Sequence, residues 1–242
     1  MGSQATVKAP RKSLGRPQGG GAVSREQITH VALEQIDAVG LNGFSLRDIA
    51  RTLGVYPATI YWHVASKDAL LAEVASLVMD QVTPPRGKLA WQDWLRELFK
   101  RYRKAIRRHP NVAQLIGAQL VSNASLKTEL IEGVLVALLE AGANDANLVQ
   151  AYNCVINTMV SFMTMELAPL PTDDPDGWGA ELKERVETIR PLDHPTLARY
   201  LPLLANRAFI VRWQNGTDVP LDSSFDANVE IFLAGLERFL AA

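Results

Sequence analysis

Three adjacent side chains, Tyr61, Trp62 and His63, carry the most distinctive chemistry of this 242-residue sequence. A phenol, an indole N–H and an imidazole can each donate a hydrogen bond, and phosphate oxygens are suitable acceptors. In the surrounding stretch PATIYWHV, Ile60 and Val64 lie four residues apart and are predicted to face inward on a helix. The three polar-tipped side chains then cannot all be buried. The alternative is that Tyr61 and Trp62 cover the core of a small domain while His63 is solvated.

Two short helices are predicted to position these side chains. Ser45, with Asp48 three residues later, suits the start of one helix, and Pro57 suits the first turn of the next. Gly54 lies between the two helices and allows a chain reversal. Such a pair is a helix-turn-helix, whose second helix enters the DNA major groove with its N-terminal residues against base edges. The pattern therefore predicts a DNA-binding unit at about residues 45–64.

The residues expected to contact DNA lie on the second helix and at two neighbouring helix starts. Small residues at the start of the second helix let its backbone approach the bases, and Thr59 can face a base or a phosphate. Basic side chains on the adjacent helices add attraction to the backbone. The full set is Arg47, Pro57, Ala58, Thr59, Tyr61, Trp62, His63 and Lys67.

The remainder of the chain is also predicted to be helical. Hydrophobic residues make up 48% of the sequence, and no window alternates between polar and apolar residues for long enough to indicate a strand. Further helices are predicted at about 24–40, 66–81, 90–108, 111–121, 125–141, 145–167, 180–189, 195–214 and 224–241. We expect an all-α fold of about ten helices, in which a three-helix N-terminal unit precedes a larger helical domain.

Composition divides the chain into three parts. Residues 1–23 are rich in Gly, Pro and basic residues and are expected to form a flexible arm that can follow the minor groove. Residues 24–82 contain the DNA-binding domain, and TPPRG marks the boundary to a C-terminal domain at 83–242. The net charge of −1 and the lack of a long apolar run argue against a polycation and a membrane protein. We expect a protein of the bacterial cytoplasm, associated with the nucleoid.

The stretch LNGFSLRDIARTLGVYPATIYWHVASKDALLAEV resembles the DNA-binding domain of the tetracycline-repressor (TetR) family. WQDWLR is similar to the start of the fifth helix of the tetracycline repressor, and FDANVEIFLAGLERFL to its last helix. The resemblance implies a homodimer that binds a palindromic operator in double-stranded DNA, usually as a repressor, and a larger domain that dimerises and holds a small-molecule effector. Pro57 and Ala58 depart from the tetracycline repressor, which carries glutamine and proline there, so a hydrogen-bond donor to a base edge is lost.

Candidate effector contacts combine polar groups with methionine, as ligand sites do. Most lie on the 145–167 helix; a Pro- and Asp-rich loop that ends in a tryptophan is a candidate lid, although a plain surface loop is the alternative. The set is Trp94, Tyr102, Gln119, Tyr152, Asn153, Asn157, Met159, Met163, Glu166 and Trp178. Each methionine taken alone also fits ordinary core packing. We expect a small apolar or aromatic effector and no required cofactor.

Tetracycline with magnesium is not the expected effector. The resemblance aligns apolar residues near Ile116, and the non-imidazole Thr83, with the two histidines that hold metal and drug in the tetracycline repressor. Glu166 aligns with an acidic position there, but one carboxylate is a poor metal site. The single Cys154 excludes a cysteine-based zinc site and an internal disulfide. No metal site is therefore predicted.

The last predicted helix carries a broad apolar stripe, with Phe225, Val229, Phe232, Leu236 and Phe239 on one face. Such a stripe is wider than one neighbouring helix needs. Two interpretations remain open, an intrachain core and a two-fold four-helix dimer interface shared with the 145–167 helix.

Two other classes of function agree less well with the sequence than DNA binding does. An enzyme is disfavoured because the sequence has no glycine-rich phosphate loop, no histidine cluster and no G-x-S-x-G motif, so no catalytic residue is predicted. A helical scaffold leaves the basic arm and the aromatic triplet unexplained. In the basic segment 86–109, Arg96, Lys100, Arg103 and Arg107 recur at helical spacing, so this is chiefly a solvated face, with nonspecific attraction to DNA as the alternative.

Overall fold

A computed structural model describes residues 23–85, 87–121, 127–171 and 173–241, excepting the side chains of residues 118–121. Within these residues the chain forms eleven α-helices, one short 3-10 turn and no strand, which confirms the all-α prediction. The helices are α1 (Arg25–Gly43), α2 (Leu46–Thr52), α3 (Pro57–His63), α4 (Lys67–Met79), α5 (Trp91–Arg108), α6 (Ala113–Val121), α7 (Thr128–Glu140), α8 (Leu148–Glu166), α9 (Pro175–Glu187), α10 (Pro195–Leu204) and α11 (Asp222–Leu240). Most of the expected basic arm, residues 1–22, lies outside the described part.

Serine caps begin three of the first four helices. The Ser24 hydroxyl accepts from the Gln27 N–H at 3.1 Å, and the Gln27 side chain accepts from the Ser24 N–H at 2.9 Å, which completes a capping box at α1. The Ser45 and Ser66 side chains accept from the N–H groups of Asp48 and Ala69 at the starts of α2 and α4. These contacts satisfy backbone donors that the first helical turn leaves without a partner, and so they fix where each helix begins.

A small apolar core holds α1 to α4 together. One or more side chains from each helix are fully buried: Ile28, Ile36, Ile49, Ile60 and Leu70. Burying an aliphatic side chain of this size stabilises the fold by about 1.5–3 kcal/mol. Gly54 connects α2 to α3 with a φ of 65°, a left-handed conformation that costs glycine little. The predicted chain reversal is present, and it orients α3 against α2.

The larger part of the molecule is built around α5 and α8. Both helices contact α7 and α11, and α8 also packs on α6. Edge-to-face aromatic pairs hold α11 in place: Phe232 lies 5.7 Å from Phe99 of α5, and Phe225 lies 5.5 Å from Phe162 of α8. Because α4 contacts α1 as well as α5 and α6, it connects the two halves directly.

The loop predicted from APLPTDDPDGWG is shorter than expected, because α9 begins inside it at Pro175 and not near residue 180. The Asp174 carboxylate accepts from the Gly177 N–H at 2.9 Å, and Pro175 occupies the first helical position. The residues that indicated a loop are therefore also the start of a helix. Trp178 is a half-buried residue of α9, which corrects the prediction that it ends a lid loop.

The predicted helix at 195–214 is too long by about ten residues. Pro202 removes a backbone N–H within α10, and the chain then turns at Asn206 and Ile210, whose φ values are 57° and 75°. The Asn206 side chain accepts from two backbone N–H groups seven and eight residues further on. The segment after α10 is therefore held in a folded-back conformation, and no residue of α10 is fully buried.

Candidate DNA interface and effector domain

The recognition helix α3 buries one face and exposes the other. Ile60 and Val64 are buried, whereas Tyr61 is 58% exposed and Trp62 is 88% exposed. An indole with nearly all of its surface in water contributes nothing to the core of its own chain. Trp62 therefore does not cover the small domain, whereas Tyr61 is partly covered by it, and His63, at the last position of α3, is half-buried.

The first turn of α3 presents small apolar residues to solvent. Pro57 and Ala58 are exposed, and Thr59 is half-buried. Tyr56 directly precedes the helix and is 73% exposed, and its side chain makes no capping hydrogen bond. Tyr56 was not among the predicted contacts. Its place immediately before the helix-starting Pro57 is the sequence signal that could have identified it.

Two predicted basic contacts flank α3. Arg47 of α2 is exposed and has no ion-pair partner among the described residues, whereas Arg51 on the same helix pairs with Asp48. Lys67 begins α4, where its ammonium group lies 4.5 Å from the centre of the Phe44 ring. This cation–π contact places the Lys67 charge beside the helix-turn-helix. The Arg47 guanidinium remains free to bind an external acceptor.

Polar contacts join the end of α5 to α1 across the two halves of the molecule. The Asn111 side chain donates to the backbone oxygens of Ile36 and Asp37 at 2.9 and 3.1 Å. Nearby, His109 Nδ1 lies 2.7 Å from an Asp37 carboxylate oxygen. Both acceptors belong to the last turn before α1 breaks at Gly40, whose φ is 73°. The orientation of α1 is therefore tied to the larger domain.

A buried ion pair links α5, α8 and the start of α11. Arg103 donates to Glu166 at 2.8 Å and lies 3.0 Å from Asp222, and the Leu221 N–H donates to the same Glu166 oxygen at 2.7 Å. The Glu166 backbone oxygen also accepts from Gly216 at 2.7 Å. The helical spacing predicted that Arg103 belongs to a solvated face. The structure shows instead that it is buried. The Glu166 Oε1 atom is held in this network, whereas its buried Oε2 atom has no hydrogen-bond partner among the described residues, so Glu166 stays a predicted effector contact.

The predicted effector residues of α8 fall on opposite faces of that helix. Met159 and Met163 are buried, whereas Asn153 and Asn157 are exposed. The asparagines do not line the interior that the methionines reach, because they point to the outer surface of the described chain. Cys154, expected to be inert packing, is exposed beside them. The two asparagines and the two methionines therefore do not face one common interior site within the described chain.

The predicted effector residues of α5 lie in the interior. Tyr102 is fully buried, and its hydroxyl has no hydrogen-bond partner within the described chain. Burial raises the pKa of the Tyr102 phenol well above its ordinary value, so the group is a neutral donor at physiological pH. Trp94 is buried against Gly133 of α7, and Tyr152 of α8 is half-buried. The side chain of the remaining candidate, Gln119, lies outside the described part.

The apolar stripe predicted for the dimer interface faces the protein's own core. Phe225, Val229 and Leu236 are buried within the chain, and Phe232 is half-buried against Phe99. These residues are consequently unavailable to a partner, because α5 and α8 already cover them. Of the predicted stripe, only Phe239 is exposed, at 47%.

Other apolar residues of α8 and α11 point outward. Ile231 of α11 is 73% exposed, and Val149 of α8 is 65% exposed. Both belong to the two helices that were expected to form the interface, and Ile231 lies outside the stripe predicted on α11.

The basic face of α5 borders an open groove against the start of α11, with a volume of ≈ 450 Å³. Lys100, Lys104 and Arg108 line it and have no ion-pair partner among the described residues, whereas Arg107 pairs with Asp222 at 2.8 Å. Apart from Arg103, the segment is chiefly solvated, as predicted. The described residues contain no group of three or more metal-binding side chains, and none of their helices is long and apolar enough to cross a membrane.

The structure combines a helix-turn-helix, whose second helix exposes aromatic side chains, with a larger helical domain that contains the buried Arg103–Glu166 ion pair. This combination is typical of a DNA-binding regulator. The chain belongs to the TetR family. Residues 28–74 match the family description "Bacterial regulatory proteins, tetR family", and residues 83–240 match "Tetracyclin repressor-like, C-terminal domain". Members of this family are ligand-responsive DNA-binding transcriptional regulators and not enzymes.

Relatives of known function are similar over different lengths. Tetracycline repressor protein class D of Escherichia coli is 33% identical over 97 residues, which cover 38% of this chain and 44% of that protein, less than half of its length. An HTH-type transcriptional regulator of Saccharopolyspora erythraea is 26% identical over 183 residues, covering 74% of this chain and 75% of that one. Tetracycline repressor protein class C of E. coli is 24% identical over 219 residues, covering 89% and 91%.

Solved structures show the same architecture. ActR of Streptomyces coelicolor, without ligand, superposes with a TM-score of 0.69 at 18% identity, covering 92% of this chain and 99% of ActR. BioQ of Mycobacterium smegmatis superposes with a TM-score of 0.61 at 22% identity, covering 89% of this chain and 99% of BioQ. BioQ with its natural double-stranded DNA operator gives a TM-score of 0.56 at 27% identity, covering 67% and 96%.

Proposed function

We propose that this protein is a transcriptional repressor that binds a palindromic DNA operator as a homodimer and is released by a small apolar or aromatic effector. Its site of action is then the bacterial nucleoid, in the cytoplasm. The DNA-binding part comprises residues up to about 82, and the effector and dimerisation domain comprises 83–242. The exposed aromatic face of α3 is the single observation that carries this proposal, since Trp62 is 88% exposed and Tyr61 is 58% exposed beside it.

The proposed DNA contacts divide into two groups. Pro57, Ala58 and Thr59 occupy the first turn of α3, the part of a recognition helix that meets base edges. The second group, which donates to phosphates or approaches the bases from neighbouring helices, comprises Arg47, Tyr61, Trp62, His63 and Lys67. BioQ, solved with its operator, shows that a protein of this fold and 27% identity binds double-stranded DNA.

The proposed effector site lies in the interior between α5 and α8. Met159 and Met163 supply adaptable apolar surface, and Trp94 supplies a large aromatic one. The Tyr102 hydroxyl is a buried donor without a partner among the described residues, so a polar atom of the effector can satisfy it. We therefore favour an apolar or aromatic molecule with at least one hydrogen-bond acceptor. ActR, which shares the fold, has been solved with actinorhodin and with (S)-DNPA.

Release follows if the effector favours a different spacing of the two recognition helices. Two such helices read a palindrome when they lie about one DNA turn apart, roughly 34–36 Å. Because α4 contacts both halves of the chain, a shift within the larger domain is passed to α3 through α4. By linkage, DNA must weaken effector binding by the same factor as the effector weakens DNA binding.

Fluorescence anisotropy on DNA from upstream of the protein's own gene tests the DNA-binding proposal. We expect tight binding that is lost on scrambled DNA and weakens steeply as salt increases. Trp62→Ala and Tyr61→Ala should weaken it, whereas Tyr200→Ala, which removes an exposed aromatic residue from α10, should not. Equal weak binding to specific and scrambled DNA, and to a genome-wide selection of fragments, would contradict the proposal.

A compound library that displaces the operator identifies the effector. Once a ligand is found, Tyr102→Phe removes one hydroxyl and little volume. We expect this variant to bind the ligand about 5- to 10-fold more weakly, the usual value of one hydrogen bond, and to bind DNA as before. Unchanged ligand affinity in Tyr102→Phe would place the effector elsewhere.

A further inference from the structure

Positive charge is concentrated in the open groove between α5 and the start of α11. Among the described residues, five cationic side chains and two carboxylates line this groove, whose volume is ≈ 450 Å³. Helical spacing places the cations on one face of α5: Lys100, Arg103, Lys104, Arg107 and Arg108. Like charges at this spacing repel one another, so the face is destabilised unless negative charge compensates it.

The protein itself compensates part of this charge. Arg103 donates to Glu166 at 2.8 Å, and Asp222 lies 3.0 Å from Arg103 and 2.8 Å from Arg107. The buried Arg103 Nε atom nevertheless has no hydrogen-bond partner within the described chain. The two carboxylates therefore do not satisfy this guanidinium completely, and its charge stays at the wall of the groove, where water hardly reaches it.

The other cations of the groove lack such partners. Lys100, Lys104 and Arg108 are exposed, and none of them forms an ion pair with a described residue. The C-terminal end of α5 favours a positive charge at Arg108, but both lysines precede the last turn, to which this effect is confined. Lys100 helps to lower the pKa of Glu230, but Arg96 is the larger cause and holds both Glu230 oxygens at 2.7 Å. The two lysines are therefore available to bind an external anion.

We propose that this groove binds a small molecule with several negative charges, carried by phosphate or carboxylate groups. Its volume is within the range of ~300–1,000 Å³ that is usual for small-molecule sites. Lys100, Lys104 and Arg108 bind the charged groups. The charge of Arg103, which stacks 4.4 Å from the centre of the Phe225 ring, adds to the attraction because a recess with an apolar wall is screened less than an open surface.

The length of the basic face favours a molecule with more than one charged group. Lys100 and Arg108 are separated by about 12 Å along the helix axis, so a single small ion cannot contact both. Tyr102 of the same helix points into the interior, so this site is separate from the proposed effector site. Nor does the anion site depend on the proposed binding of DNA.

A small anion fits this groove better than the DNA backbone does. Asp222 and Asp226 line the α11 side, and Asp226 has no ion-pair partner in the part of the chain that the structure describes. These carboxylates repel a phosphate chain that runs across the surface, whereas a small molecule can lie against the cations of α5 alone.

Isothermal titration calorimetry with inorganic tripolyphosphate and with citrate tests the groove, each probe being a potassium salt free of divalent metal. We expect saturable binding at one site per chain, which weakens as the chloride concentration is raised. Tighter binding of tripolyphosphate indicates a phosphate ligand, and tighter binding of citrate indicates a carboxylate ligand. Absence of saturable binding by both probes overturns the proposal.

Charge variants assign the binding to the two sides of the groove. Lys104→Ala should weaken probe binding about 5-fold, the value of an ion pair that water partly screens. Arg101→Ala is the matched control, because it removes the same charge from α5 at a residue that pairs with Glu97 outside the groove. Asp226→Asn should strengthen binding about 2- to 5-fold, whereas Glu237→Gln, further along α11, should leave it unchanged.

The outcomes separate the anion site from the proposed DNA-binding function. Unchanged probe affinity in Lys104→Ala and Lys100→Ala, or an equal loss in Arg101→Ala, overturns the proposal, since the probe would then respond only to overall charge. If the groove holds the DNA backbone, Lys104→Ala reduces the salt dependence of operator binding by about one charge and neither probe binds without DNA, which also overturns it. A protein that binds the probes in this groove but binds no DNA keeps the anion site and loses the repressor function.

Discussion

Glu166 shows how one buried charge organises three elements. Its carboxylate accepts from Arg103 at 2.8 Å and from the Leu221 N–H at 2.7 Å, and the residue is 1% exposed. Removing one charge of a buried pair is costly, because the remaining charge is left in a medium that solvates it poorly. The network is therefore expected to contribute strongly to the stability of the packing between α5, α8 and the start of α11.

Glu166→Gln is expected to lower the free energy of unfolding by about 3–5 kcal/mol, because Arg103 keeps its charge and loses its buried partner. Urea denaturation followed by circular dichroism measures the change. Glu230→Gln is the control, since Glu230 pairs with Arg96 on the surface, where water screens the interaction. Equal effects of the two variants would show that burial of the Arg103 pair has no energetic consequence.

Gly133 leaves room for a tryptophan. A Cβ atom at this position would lie 2.6 Å from Trp94 Cζ2, far inside van der Waals contact. Gly133→Ala is expected to destabilise the protein by about 1–3 kcal/mol, the usual cost of overpacking, despite the better helix propensity of alanine. Gly117→Ala, whose new methyl would meet Val160 at an ordinary 3.5 Å, should be neutral or stabilising. Thermal unfolding of the pair distinguishes packing from propensity, and a stable Gly133→Ala protein contradicts the expected clash.

Residue roles that depend on long-range partners were not accessible from sequence. Arg103 has the same helical spacing as Lys100 and Arg107, so a solvated face was the natural prediction. What distinguishes Arg103 is Glu166, which lies 63 residues further along the chain. By contrast, the exposure of Tyr61 and Trp62 was predictable, because the local pair Ile60 and Val64 occupies the buried face of a short helix.

Among the helices, the segment between α5 and α6 is joined to α1 by side-chain hydrogen bonds. Asn111 donates to two backbone oxygens in the last turn before the break at Gly40. These carbonyls end a helical segment, where acceptors commonly lack an intrahelical donor. The larger domain therefore supplies part of the cap of a helix in the DNA-binding domain, and the two are coupled at this point.

Asn111→Ala is expected to lower the free energy of unfolding by about 1–2 kcal/mol and also to weaken DNA binding, because α1 is less firmly oriented. Urea denaturation and operator anisotropy measure the two effects. Gln114→Ala is the matched control: its side chain donates to the Thr164 oxygen at 2.9 Å within the larger domain. We expect that control to lose stability but keep its DNA affinity. A parallel loss in both variants would mean that Asn111 acts only through stability.

The three helix starts with a serine cap were predicted accurately, whereas the end of α10 was not. Ser24, Ser45 and Ser66 act through backbone groups only three residues away, so a short window contains the whole signal. The end of α10 depends on Pro202 and on the positive φ at Asn206, and the latter is set by contacts with residues further along. Apolar periodicity continued past that point, and the predicted helix was consequently too long.

In the molecule as a whole, the periodicity of the apolar stripe on α11 cannot distinguish a dimer interface from packing within one chain. A wide apolar face results equally from packing against a partner and from packing between two helices of the same chain. Here α5 and α8 together cover Phe225, Val229 and Leu236, which accounts for the width. Ile231 and Val149 are exposed but lie outside this stripe, so its periodicity did not identify them.

We propose that the homodimer forms through the outward faces of α8 and α11, and Ile231→Glu tests this. A glutamate in a buried interface must lose its water without gaining a partner, so we expect the variant to be monomeric in sedimentation at concentrations where the parent protein is a dimer. Binding to the palindromic operator should fall to the level seen with a single half-site, because the second recognition helix is no longer held on the same complex.

Val39→Glu introduces the same charge at an exposed apolar residue of α1, and it is expected to remain dimeric. If Ile231→Glu stays a dimer of unchanged affinity, the interface lies elsewhere. The segment around α10 is then the next candidate, because Leu192 and Leu203 expose large apolar side chains there and no residue of α10 is fully buried. Leu203→Glu would in that case give the monomer, so the pair of variants assigns the interface to one face or the other.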